Sequence, residues 1–89
     1  MYSRRVTLAN ATGLHVRPAT LFMQVATRFH SDIRVLKDTK TGDGKSAISL
    51  MLLEALPGTQ LTIEAIGDDE IAAVDALVDL VERRFEVPT

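Results

Sequence analysis

The chain has 89 residues, 46% of them hydrophobic and 25% charged, which suits one globular domain and excludes a disordered tail. It contains no cysteine, so disulfides, zinc–thiolate sites and thiol catalysis are excluded. The net charge of −2 conceals an asymmetry: residues 1–45 carry eight bases and three acids, residues 46–89 two bases and nine acids.

Arg5-Val6-Thr7-Leu8-Ala9 alternates as a half-buried strand does, and Asn10 to Gly13 make a turn. A helix is expected over residues 16–28, with Pro18 in its first turn and Pro18, Phe22, Val25 and Phe29 forming one apolar stripe. Ile33 to Lys37 reads as a second strand. Asp38 and Thr39 turn the chain into a short third strand near Lys40 to Asp43. Ser46 is a favourable cap for a second helix over residues 47–55, which Pro57-Gly58 ends. Gln60 to Ile66 alternates as a fourth strand. Asp68-Asp69-Glu70 complements the dipole of a last helix, whose stripe is Ile71, Val74, Val78, Val81 and Phe85 and whose negative end carries Arg83 and Arg84.

The order is β-α-β-β-α-β-α. Alternating strands imply an antiparallel sheet with one covered face. The expected fold is α+β, an open-faced β-sandwich in which three helices cover one face of a four-stranded sheet, as a single domain spanning residues 1–89.

The segment Gly13-Leu14-His15-Val16-Arg17-Pro18-Ala19 is the chemical centre of the chain. It sets His15 at or just before a helix N-cap, where unpaired backbone N–H groups attract anions. A neutral imidazole is a nucleophile near pH 7, and Arg17 adds a planar fork of donors suited to phosphate. Taken singly, each residue has an ordinary structural alternative as a capping or solvated side chain. The ordered set is far more specific than any member.

With this motif, the chain resembles the histidine-containing phosphocarrier proteins (HPr) of the bacterial sugar phosphotransferase system. The resemblance extends through Gly44-Lys45-Ser46 before the second helix, Pro57-Gly58 before a strand, and the closing helix. It implies strands in spatial order one, four, two, three. It further implies that His15 accepts phosphate from enzyme I, charged by phosphoenolpyruvate, and passes it to IIA proteins, with Arg17 steadying the phosphate. Val16 stands where the family most often has alanine. The implied product is a phosphocarrier with a transient phosphohistidine and not an enzyme, needing no cofactor.

The surface for partners is read from two helices. Arg17, Thr20, Gln24 and Arg28 share a polar stripe, with Leu21 at its border. The second helix is apolar nearly all round. If Leu50 and Leu53 face the sheet, then Ile48, Met51 and Leu52 point substantially away, as in a docking patch or an unusually deep helix. By resemblance, Thr12, Val16, Thr20, Leu21, Gln24, Ala47, Ile48 and Met51 meet enzyme I and IIA proteins. Ser46 is explained by capping, and by resemblance it also matches a regulatory serine modified by HPr kinase/phosphorylase. Ala47-Ile48-Ser49 replaces the Ile-Met-Gly common in that regulated group.

His30 receives no role, and no metal site is expected. No Lys/Arg run or aromatic stripe suits nucleic acid. No apolar run could span a bilayer, and a signal-peptide core is not seen, so a soluble cytoplasmic monomer without membrane contact is expected. Two alternatives stay open: a regulatory binding protein, or a carrier of the nitrogen-related branch not dedicated to sugar.

Overall fold

Tyr2–Thr7 (β1) and Lys40–Asp43 (β3) form the two edges of an antiparallel sheet in the order β1-β4-β2-β3, with Gln60–Ile66 as β4 and Asp32–Lys37 as β2. The order agrees with the one the resemblance implies. Among the described residues the helices are Val16–Ala26 (α1), Ala47–Met51 (α2) and Glu70–Glu82 (α3). A computed structural model describes residues 1–86.

Strand alternation decides which face is covered. Val6, Ile33, Val35, Leu61, Ile63 and Ala65 are buried against the helices, whereas Ser3, Arg5 and Arg34 point away. On the open face Arg34 pairs with Glu64 across the strands at 2.9 Å. Phe22 of α1, Leu50 beside Leu53 in α2 and its following turn, and Val74, Leu77, Val78 and Val81 of α3 close the core. Burying each such side chain stabilises the fold by about 1.5–3 kcal/mol.

Several boundaries differ from the sequence reading, each for a visible reason. β1 begins at Tyr2 and ends at Thr7, because Tyr2 to Arg5 pair with Ala65 to Thr62 although their polar side chains hide the strand pattern. Leu8 lies beyond β1 but still exchanges bonds with the turn, donating to Thr59 and accepting from Gly58. α1 stops at Ala26, where the Arg28 and Phe29 amides bond three residues back and tighten the last turn. Phe29 therefore lies outside the helix, and it and Val25 are only half-buried against the core.

α2 ends at Met51, not residue 55. Leu53 and Glu54 make three-residue bonds, Glu54 turns left-handed at φ 55°, and the Lys37 ammonium caps the Leu53 and Glu54 carbonyls. α3 departs too. Ile71, expected in its apolar stripe, is 59% exposed, and the buried set is Ala73, Val74, Leu77, Val78, Leu80 and Val81. Arg83 is its C-cap and Arg84 lies past the helix. Among the described residues, no helix is long and apolar enough to cross a membrane.

Candidate functional site at the start of the first helix

The loop before α1 is built to deliver one side chain. Gly13 takes φ 66°, and a Cβ there would collide with the Ala55 carbonyl oxygen. The Leu14 amide bonds that same carbonyl at 3.0 Å, while the Asn10 side-chain amide holds the Gly13 carbonyl at 2.8 Å. Leu14 is consequently buried, and the next residue, His15, stands exposed as the N-cap of α1.

His15 spends nothing on capping: its side chain makes no cap hydrogen bond. Its carbonyl accepts the Ala19 amide at 2.9 Å, and Pro18 has no amide to satisfy. Among the described residues, the Val16 and Arg17 amides have no protein acceptor, so two N–H groups and the positive end of α1 are left at the histidine. No acid occupies the first turn. Among the described residues, Arg17 has no carboxylate within 4.0 Å and keeps its guanidinium available. An exposed imidazole, an unpaired guanidinium and two free amides together suit a dianion held loosely on the ring nitrogen.

His15 lies between two depressions. One, lined by Thr12, Leu14, Met51, Glu54, Ala55 and Leu56, runs toward α2. The other combines His15, Arg17 and Leu21 with Arg84, Phe85 and Glu86. Sequence reasoning did not bring this last turn to the histidine. The Phe85 amide bonds the Leu80 carbonyl and the Arg84 amide the Val81 carbonyl, both at 2.9 Å. These are the two reversed bonds that end a helix on a left-handed residue, usually glycine. Here arginine holds that position at φ 56°, followed by Phe85 at φ 60°. A side chain in this conformation costs about 1–2 kcal/mol.

The other sequence candidates fall on the same side of the molecule in part. α1 and α2 pack against each other. Val16, Ile48, Leu52 and Leu56 are all more than half exposed, with Ile48 at 70%. Leu50 and Leu53 are both buried in the core, whereas Ile48 and Leu52 point away from it. Met51 and Ala47, by contrast, are half-buried against the core, so Met51 does not point freely away. Leu21 is half-buried at its border, Gln24 and Thr12 are exposed, and the Thr20 hydroxyl bonds the Val16 carbonyl at 2.7 Å. No periodic pattern marks Leu56 in the sequence, because it follows the expected helix and precedes Pro57.

Ser46 caps α2 as expected. Its hydroxyl accepts the Ser49 amide at 3.2 Å, and the Ser49 hydroxyl in turn accepts the Asp43 amide at 2.8 Å.

Away from this side, His30 is not idle backbone. It and Ser31 donate their amides to Asp69, whose carboxylate also accepts the Ser31 hydroxyl. These bonds, the hydroxyl's foremost, hold the Asp69 carboxyl down at about 2. His30, Asp68 and Asp69 bring one ligand-type atom each within 4.8 Å of one another. Both Asp69 oxygens are engaged in fastening the loop to α3.

The comparison with protein families decides the relationship. Residues 2–83 match the family described as the PTS HPr component phosphorylation site. The chain belongs to the HPr family. It is 43% identical over 81 residues to the phosphocarrier protein HPr of Haemophilus influenzae, covering 91% of this chain and 95% of that one. It is 42% identical over 82 residues to the HPr-like protein Crh of Bacillus subtilis, covering 92% and 96%. The crystal structure of HPr from Thermoanaerobacter tengcongensis superimposes with a TM-score of 0.94 at 43% identity, covering all of both chains. The protein is thus of the phosphocarrier family of the phosphotransferase system.

Proposed function

We propose that this chain acts, as one domain, by accepting a phosphoryl group on His15 from phospho-enzyme I and passing it to IIA proteins. The carrying observation is His15 itself, an exposed N-cap imidazole with no capping duty, beside Arg17 and two free amides. In the step, a lone pair of a His15 ring nitrogen attacks phosphorus. The P–N bond to the donor imidazole breaks, and its electron pair returns to the donor ring. Arg17 and the helix N-terminus meet the charge on the phosphoryl oxygens throughout. One exposed site without a closed cage leaves the group free to move on, as a carrier requires.

The partner surface in this reading joins Thr12, Val16, Thr20, Leu21 and Gln24 to Ala47, Ile48 and Met51, with the exposed Leu52 and Leu56 extending it. Incubation with enzyme I and phosphoenolpyruvate, followed by mapping of acid-labile phosphate by mass spectrometry, tests the assignment. Phosphate on His15 in the wild type and none on His15→Ala is expected. A mutant charged to the wild-type level removes His15 from the role.

The likeness to Crh favours a second reading, in which Ser46 modification governs partner choice. The presence of both His15 and Arg17 supports the carrier as the primary role. Incubation with ATP and HPr kinase/phosphorylase, read by phosphate on Ser46, tests the regulatory one.

A further inference from the structure

We propose that Arg84 is a second phosphate-contacting residue, presented to the phosphoryl group on His15 by the reversed turn that ends α3. This rests on His15 being the acceptor. Arg84 lines the same depression as His15 and Arg17. Among the described residues it has no carboxylate within 4.0 Å, whereas its neighbour Arg83 is committed to Asp79. The backbone is equally informative. Glycine would take the left-handed position at no steric cost, yet a long cationic side chain stands there at φ 56°. A residue held in an unfavourable conformation beside a reactive group points to work for its side chain.

Among the described residues, the charged side chains lining the depression are Arg17, Arg84 and Glu86. Glu86 would repel an arriving dianion, and with Arg17 alone the cleft would offset only that one acid. Arg84 turns the balance positive. Its contact strengthens as the phosphoryl group becomes dianionic on His15, so it favours the charged carrier and the dianionic form of its phosphate.

Three variants separate this role from support of the fold. Arg84→Gly relieves the backbone and removes the guanidinium, Arg84→Lys keeps a cation, and Glu86→Gln removes the opposing acid. Each is charged with enzyme I and phosphoenolpyruvate. The phosphoryl group is then titrated by phosphorus NMR, and the transfer equilibrium with enzyme I is measured. Arg84→Gly should keep or raise Tm. Its transfer equilibrium should shift about threefold toward the uncharged carrier, and its phosphate titration upward by about half a pH unit, the worth of one exposed charge contact. Arg84→Lys should recover part of both shifts, and Glu86→Gln should move both the opposite way. A wild type charged on His15 with Arg84→Gly matching it in both readouts overturns the proposal, as does a shift that appears only with a falling Tm. A wild type never charged on His15 overturns the carrier reading itself, and Arg84's role with it.

Discussion

The side-chain amide of Asn10 donates to the carbonyl oxygen of Gly13 at 2.8 Å, and this bond closes the turn that delivers His15 to the start of α1. Asn10 is buried, and its amide also reaches the Thr12 hydroxyl at 3.3 Å. Asn10→Asp keeps the shape but sets a carboxylate oxygen against the Gly13 carbonyl. It should destabilise the protein by about 1–3 kcal/mol in urea titration, more than Asn10→Ser, and slow the charging of His15. Wild-type stability in Asn10→Asp would show that the bond is not structural.

Two left-handed glycines should respond unequally to alanine. Gly58 at φ 87° has open space around it, so Gly58→Ala should cost only the backbone penalty of about 1–2 kcal/mol. Gly13→Ala carries that penalty and also a collision with the Ala55 carbonyl, whose bond to Leu14 positions the motif. Its loss in thermal unfolding should therefore exceed that of Gly58→Ala. Equal losses would mean the Gly13 turn yields easily.

Asp69 ties stability to acid pH. Its folded pKa of about 2 lies below the ordinary value of 3.8, so the folded state favours the carboxylate. The resulting stabilisation is complete above about pH 4 and is lost as pH falls through about 2. Asp69→Asn should lower stability at pH 7 and flatten its dependence between pH 4 and 2, as read from urea midpoints. An unchanged slope in the variant would assign the acid sensitivity elsewhere.

Neighbouring residues of α2 should separate docking from folding. Ile48 is 70% exposed and Leu50 fully buried. Ile48→Glu should leave Tm within a degree or two yet weaken complexes with enzyme I, whereas Leu50→Ala should cost about 2–5 kcal/mol of stability. The attraction contributed by Arg17 and its neighbours should also fall with salt, because exposed charges are screened over about 8 Å at physiological ionic strength. Salt-independent binding together with an unaffected Ile48→Glu would displace the partner surface from this side.

Sequence alone determined what rests on local chemistry. The start of α1, the Ser46 cap and the whole of β4 were legible because caps and strand alternation act between residues a few positions apart. The motif around His15 was legible for the same reason. Tertiary structure decided the rest, where a segment's state depends on a distant partner. The polar start of β1 is a strand only because β4 supplies its ladder. The turn that follows α2 is held by Lys37 of β2, whose ammonium bonds the Leu53 and Glu54 carbonyls. Asp69 fastens His30 and Ser31 rather than capping its own helix. Ile71 fits the helical period yet faces solvent, because periodicity names a stripe but only packing says where the stripe meets the core. The same holds at the site: Arg84 lines the depression that His15 borders because α3 packs beside α1, a juxtaposition of chain segments that no local pattern encodes.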